Sequence, residues 1–308
     1  MPSELGRYVV YEKIASGGVA DVFLARLPLG TNAFCALKTL RPEKASDPEL
    51  RAMFADESKL LYALSHPATV QVYEIGEDAD GKQFIAMELL CGQSLLGLWE
   101  VHRARGLRLP YDLVAWIGAR IAESLEHAHG VRDPVTGALE NVVHRDVNPS
   151  NVLVTFDGRV KVIDFGMARR KSQAVHTAKG MVKGKVGYLS PEQLDGKPPD
   201  ARADVFALAT TLWELSVDRR LFQGDDDMGT VLNVAKCKVP DPRTIRDDYP
   251  DALWTVLKRG LARDVDARYR TAGEIGRDLY AVAAAGGRNV GPSLMAERML
   301  DLCARAQK

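Results

Sequence analysis

The sequence predicts an α+β fold divided into two unequal domains, and three observations carry that reading. Residues 1–90 alternate short strand patterns with one main helical stretch, which describes a small, mainly antiparallel sheet domain. From 91 to 285 helical periodicity dominates and predicts a larger, mainly helical domain. Gly286-Gly287 then breaks the chain ahead of a helical tail over 286–308.

In the first domain, FCALKTL reads as a strand in which Phe34, Ala36 and Leu40 share a face with Lys38, so the ammonium points with the apolar side. An inward lysine needs an anion. Between Asp47 and Leu64 apolar residues recur at helical spacing (Leu50, Met53, Phe54, Leu60, Leu61, Leu64), and Glu57 falls inside that stripe. One inward base and one inward acid most simply pair with each other. Asp80-Gly81 marks a hairpin.

The second domain opens with the amphipathic stretch LVAWIGARIAESLEHAHG, followed by VRDPVTGALEN, rich in turn formers and expected as a surface hairpin. NVLVTFDGRVKVIDFG reads as two apolar strands around a two-residue turn at Asp157-Gly158. That register sets Asn151 directly opposite Asp164, with Cβ atoms about 4.5–5.5 Å apart. A carboxamide oxygen beside a carboxylate suits Mg²⁺, which completes its shell with phosphates and water. DVFALATTLWEL is apolar nearly all round, as a buried helix should be. In the tail, Leu294, Met295, Met299, Leu302 and Cys303 group on one helical face, expected to dock on the chain's own larger domain.

Composition agrees. With 308 residues, 46% of them hydrophobic, the chain can bury the core of two domains. Lys plus Arg equals Asp plus Glu at 41 each, so no overall field marks a nucleic-acid binder. Cys35, Cys91, Cys237 and Cys303 are scattered without metal-ligand spacing, which points to a reducing compartment. No apolar run reaches about 18 residues and MPSELGRYVV has no signal-peptide core, so the expectation is a soluble, cytoplasmic chain with no membrane segment.

The motifs taken together resemble the protein kinases, most closely the bacterial Ser/Thr kinases of eukaryotic type, from about Tyr8 to about Ala285. They are IASGGVADVFLA, CALK, a helix glutamate followed by LSHPATVQVYEIG, MELLCG, HRDVNPSN, DFG, GYLSPEQ and DVFALATTLWEL, in that order. The resemblance implies a two-lobed kinase fold, ATP and Mg²⁺ as cofactors, a nucleotide cleft between the lobes and protein substrates. It implies that Lys38 holds the α/β-phosphates and pairs with Glu57, that Asp146 accepts the proton of the attacking hydroxyl, and that Asn151 and Asp164 hold Mg²⁺. Ile14, Ala15, Ser16, Gly17 and Gly18 match the loop over the phosphates. Val22, Ala36, Met87 and Leu153 match positions around the adenine, with backbone groups of Glu88 and Leu90 on its edge. Leu61, Val72, His144 and Phe165 match the apolar column of active kinases, Asp204 matches a brace of the catalytic loop, and Arg268 matches the partner of Glu192. Relatives often continue into a membrane span and a sensor domain, so this chain is also expected as the catalytic part of something longer.

Departures matter as well. Where the family's loop has three glycines, this chain has Ala15, Gly17 and Ala20, which predicts weakened or altered ATP binding. Asn148 replaces a lysine that steadies the γ-phosphate, while Lys185 stands where a threonine is usual. The expectation is a swap in which Lys185 supplies the missing charge. Arg145 matches kinases controlled by a phosphorylated segment, and within 164–192 the acceptors are Thr177 and Ser172, with Thr177 nearer the centre. Autophosphorylation between copies implies a homodimer. His129 and His176 read as surface or packing residues. Three classes follow: an active Ser/Thr kinase, a nucleotide-binding scaffold without catalysis, and a small-molecule phosphotransferase. Retention of Lys38, Glu57, Asp146, Asn151 and Asp164 favours the first, and GYLSPEQ disfavours the third.

Overall fold

The structure is a computed structural model that describes residues 3–27, 33–133, 135–165 and 185–304. Two compact units divide between Cys91 and Gly92. The first is built on a six-stranded antiparallel sheet, β1 (Ser3–Leu5), β2 (Tyr8–Ser16), β3 (Ala20–Arg26), β4 (Phe34–Leu40), β5 (Val72–Glu77) and β6 (Gln83–Glu88), in the order β1-β2-β3-β4-β6-β5. Its core gathers Leu5, Tyr8, Val10, Ala25, Cys35, Leu37, Phe84 and Ala86. Phe84 lies so close to Gly76 that a Cβ there would come within 2.4 Å of the ring, so the strand needs its glycine.

One-sided burial of β4 does not hold. The strand is central, and Cys35, Leu37 and Thr39 are as buried as Ala36 and Leu40, while Phe34, expected inside, is 46% exposed. Period-two reasoning assumes one wet face, and a strand covered on both sides has none. The helix α1 (Pro48–Ala63) begins where expected because the Asp47 side chain accepts from the amides of Glu49 (2.9 Å) and Leu50 (3.3 Å) and proline fills the first turn. The β5–β6 hairpin turns through Asp78–Lys82, with Gly81 at φ 76°.

The second unit carries a small sheet, β7 (Gly92–Ser94), β8 (Val152–Thr155) and β9 (Val160–Val162). Around it stand α2 (Leu95–Ala104), α3 (Tyr111–His129), α4 (Pro191–Leu194), α5 (Ala201–Val217), α6 (Asp227–Lys236), α7 (Asp251–Gly260), α8 (Ala272–Ala285) and α9 (Pro292–Ala304). All of α5 from Ala203 to Val217 is buried, as its apolar circumference predicts. Gly118 lets α3 approach α5, since a Cβ there would fall 2.4 Å from Leu212. Arg132 and Leu139 form an antiparallel bridge, as the expected surface hairpin requires. Among the described residues no helix is long and apolar enough to cross a membrane.

The β8–β9 turn differs from expectation by one residue. Val152 pairs with Val162, Leu153 with Lys161 and Val154 with Val160. The Gly158 amide donates to Thr155 O (2.8 Å), the Thr155 amide to Arg159 O (2.9 Å), and Gly158 sits at φ 84°. This is a three-residue loop, a turn closed by a left-handed glycine, rather than the two-residue turn that Asp-Gly also suits. Asn151 therefore faces Ile163, whose amide donates to Asn151 O (2.9 Å), and not Asp164. The tail packs back on its own unit, with Met295 and Met299 buried and Pro292 O only 1.8 Å from where a Cβ on Gly158 would stand.

Candidate active site

In the first unit, Lys38 Nζ donates to Glu57 Oε1 at 2.8 Å, with the two side chains 11% and 12% exposed. Sheet position and helix phase together produce this pair, as the sequence indicates. Val22 lies opposite Lys38 in the sheet and Ala36 opposite Met87. The Glu88 amide donates to Gln71 O (2.9 Å), so a backbone contact from Glu88 to a nucleotide has to use its carbonyl. Leu90 follows β6 and is half-buried. Ile14, Ala15 and Ser16 end β2, and the Gly17 amide donates to Ala20 O (2.8 Å) to close the turn through Gly17 and Gly18.

A latch across that turn was not foreseen. Ser16 Oγ donates to Asp21 Oδ1 at 2.5 Å, and Lys13 Nζ reaches Asp21 Oδ2 at 3.4 Å. The Ser16 hydrogen bond, aided by Lys13 and the charge of Arg41, holds the Asp21 carboxyl below the ordinary range. The alternation of small and polar residues in ASGGVAD gives no cue to that contact.

In the second unit, Asp146 is the convergence point. Asn148 Nδ2 donates to its Oδ1 (3.1 Å), while Asn151 Nδ2 (2.9 Å) and Lys185 Nζ (2.8 Å) donate to its Oδ2. Both carboxamides also donate to Asp146 O at 2.8 Å. Asn148 thus orients the carboxylate it flanks, a role that its reading as a lost lysine missed. With its nitrogen committed to Asp146, Asn151 has its carboxamide oxygen left to offer a hard cation, and Asp164 is exposed with a left-handed backbone (φ 54°). A carboxamide oxygen and a carboxylate fit Mg²⁺ by donor type, although the strand register does not place them face to face. Leu153 lies in β8 beside them.

Beneath the loop, Asp204 Oδ2 accepts from His129 Nε2 (2.8 Å) and the His144 amide (2.8 Å), and Oδ1 accepts from the Arg145 amide (2.8 Å). Burial pushes the Asp204 carboxyl up, but these contacts more than offset it and hold the group below its ordinary value. His129 is therefore a ligand of the brace and not a packing residue. Its partner lies 75 residues on, beyond the reach of local pattern. Burial lowers the His144 pKa and keeps the ring neutral; its Nε2 donates to Ile163 O (3.2 Å) and its Nδ1 accepts from the Asp146 amide (3.2 Å). The ring also lies 4.5 Å from that of Phe165. Leu61 and Val72 are buried in the first unit. Arg268 grips Glu192 through two 2.8 Å hydrogen bonds. Ser172, His176 and Thr177 lie outside the described residues.

The profile of the protein kinase domain matches residues 8–279. The tyrosine-protein kinase MasK of Myxococcus xanthus is 37% identical over 87% of this chain and 41% of its own length. The serine/threonine-protein kinase PrkC of Bacillus subtilis is 31% identical over 89% of this chain and 40% of its own. The chain spans about two fifths of the length of these relatives. The crystal structure of the Mycobacterium tuberculosis PknI kinase domain aligns with a TM-score of 0.67 at 27% identity, covering 91% of this chain and 98% of that one.

Proposed function

Because the chain belongs to the protein kinase domain family, with the two-part α+β kinase fold, we propose that it transfers the γ-phosphoryl group of ATP to serine and threonine hydroxyls of proteins, its own activation segment included. The observation that carries this reading is the Asp146 carboxylate, held in one orientation by Asn148, Asn151 and Lys185. A carboxylate so fixed can take the proton of an attacking hydroxyl without first reorganising. Lys38, steadied by Glu57, is the ammonium for the α/β-phosphates, and Asn151 and Asp164 are the residues that would hold Mg²⁺. When bound, the ion neutralises charge on the phosphates. Lys185 stands beside the catalytic carboxylate as the cation for the developing γ-phosphoryl charge, taking over from the lysine absent at 148.

One observation favours a second reading. A relative 37% identical is named a tyrosine-protein kinase, so the acceptor could be a phenol in place of an aliphatic hydroxyl. A single experiment tests both. The chain is incubated with Mg²⁺ and ATP beside an Asp164→Asn control, and the phosphate is mapped by mass spectrometry. The expected result is phosphoserine or phosphothreonine, Thr177 among the sites, absent in the control; phosphotyrosine alone establishes the second reading, and no incorporation defeats both. Lys185→Ala is expected to lower turnover by about a hundredfold, and adding Asn148→Lys to recover part of it. Unchanged turnover in Lys185→Ala sinks the charge swap.

A further inference from the structure

Between Lys185 and α4 runs the segment Val186–Ser190, whose likeness to the protein-substrate cradle of kinases makes its rigidity a matter of function. Its two ends are secured by groups already described. Lys185 is tied to Asp146, and Ser190 is tied into α4 by its amide, which donates to Gln193 Oε1 at 2.9 Å. The middle is secured by Tyr188, whose hydroxyl donates to Glu214 Oε2 at 2.6 Å.

Glu214 is almost fully buried near the end of α5, and a carboxylate there requires compensation. Its Oε1 accepts from the Leu221 amide (2.9 Å), and its Oε2 accepts from Arg220 Nη1 (3.0 Å). Arg220 Nη1 also contacts the Tyr188 hydroxyl. The guanidinium carbon stands 4.6 Å from the Trp99 ring centroid and 5.9 Å from that of Tyr188. Trp99 is in turn anchored through Nε1 to Asp218 Oδ1 at 2.6 Å. One guanidinium therefore neutralises the buried carboxylate, touches the tyrosine and rests against an anchored indole. Yet its side chain is 32% exposed, so it reaches the site from the surface and can be removed without opening a core cavity.

We propose that Arg220 is a positioning residue that acts through Glu214 and Tyr188 to hold segment 186–190, and so sets how tightly a protein acceptor is bound. The proposal rests on the protein kinase reading above. Without Arg220 the buried carboxylate keeps its two neutral donors, the Leu221 amide and the Tyr188 hydroxyl, but loses its counter-charge and relieves itself by taking a proton. Burial already pushes Glu214 upward, and the charge of Arg220 opposes it. A protonated carboxyl meets the Tyr188 hydroxyl as a weak neutral partner, so the charge-assisted hydrogen bond that pins the segment is lost.

The test measures KM for two acceptors, the Asp146→Asn chain and casein, together with KM for ATP and hydrogen exchange of residues 186–194. Arg220→Met is expected to raise acceptor KM about tenfold, to leave KM for ATP within about twofold and to speed exchange in that segment. Arg220→Lys, which keeps the charge and loses the fork and the stack, should fall between the two. Tyr188→Phe removes only the hydroxyl and should raise acceptor KM equally; it decides the matter if Arg220→Met unfolds. The double variant should be no worse than either single one, since both act through one contact. Acceptor KM and exchange both unchanged in Arg220→Met, or full additivity in the double variant, overturns the proposal. If the unmodified chain phosphorylates neither acceptor, the kinase reading falls, and exchange alone decides: faster in Arg220→Met supports the positioning role, unchanged defeats it.

Discussion

Lys38 meets Glu57 by one ammonium, whereas Arg268 takes Glu192 with both arms of a guanidinium and also donates to the carbonyls of Ala262 (2.7 Å), Arg202 (3.2 Å) and Arg263 (3.3 Å). Arg268 lies over the Phe206 ring at 4.8 Å and has no exposed side-chain surface, while both members of the other pair keep a strip open to water. The difference separates two uses of a buried charge. A compact ammonium on a flexible stem can trade a carboxylate for a phosphate, and a fork tied to backbone on several sides cannot leave. The first pair suits a site that binds and releases; the second suits a joint between α4 and the segment before α8.

The comparison breaks most readily at Arg268. Arg268→Ala leaves Glu192 buried without this counter-ion and takes a donor from three carbonyls, and it should cost about 3–5 kcal/mol in urea unfolding. A cost no greater than that of a surface substitution would show that the fork is dispensable. Next in size is Lys38→Met, expected to lower phosphate transfer by about a hundred- to a thousandfold. Its unfolding midpoint should move less than that of Arg268→Ala. Should stability fall as far in both, the two pairs are alike and the distinction is lost.

Acid sharpens the same contrast. Burial pushes the Glu192 carboxyl up, but the hydrogen bonds and charge of Arg268 outweigh it, so the folded value lies below the ordinary 4.5. The unfolded chain then binds more protons near that pH, and the stability from this pair is complete above about 4.5 and drains as pH falls through the lower folded value. Asp204 behaves likewise from its ordinary 3.8. Stability should therefore begin to fall near pH 6.5, where the unfolded chain protonates a histidine that the buried His144 ring resists, and should fall further below about pH 5 as these carboxyls titrate, with a shallower second decline in Glu192→Gln. An equally steep decline in that variant assigns the acid sensitivity to other carboxyls.

Where the sequence was legible, the reason was a short-range rule. Lys38 and Glu57 were visible because a lysine in an apolar strand and a glutamate in the apolar stripe of a helix each mark a charge drawn inward, although the one-sided burial expected of β4 did not hold. The buried α5 and the docked tail followed from apolar surface that has to be covered. The β8–β9 hairpin was right in kind and wrong by one residue, because Asp157-Gly158 suits two turn types and only the partner strand chooses between them. The same limit hid the deeper polar groups. His129 and Glu214 sit in stretches whose local pattern is complete without them, and their partners lie on other elements, whereas Asn148 was read only as a missing charge although its partner Asp146 is two residues away. A three-residue strand such as β1 carries too little pattern to register at all.

The smallest effect asks whether the first pair depends on the helix that presents it. Asp47 caps α1 through the amides of Glu49 and Leu50, so Asp47→Ala frees two donors at the helix start and should cost about 1 kcal/mol. Glu57 stands near the middle of α1, nearly three turns beyond the cap, where Phe54 and Leu61 bury the helix on either side of it. Fraying at the cap therefore should not reach the carboxylate, and KM for ATP should stay within about twofold while the unfolding midpoint drops. A rise in KM for ATP matching the loss of stability would mean that α1 moves as one body, and that Glu57 is held by the entire helix and not by its own neighbours. In that case the Lys38–Glu57 pair would be set from a distance, as the Arg268 fork is not.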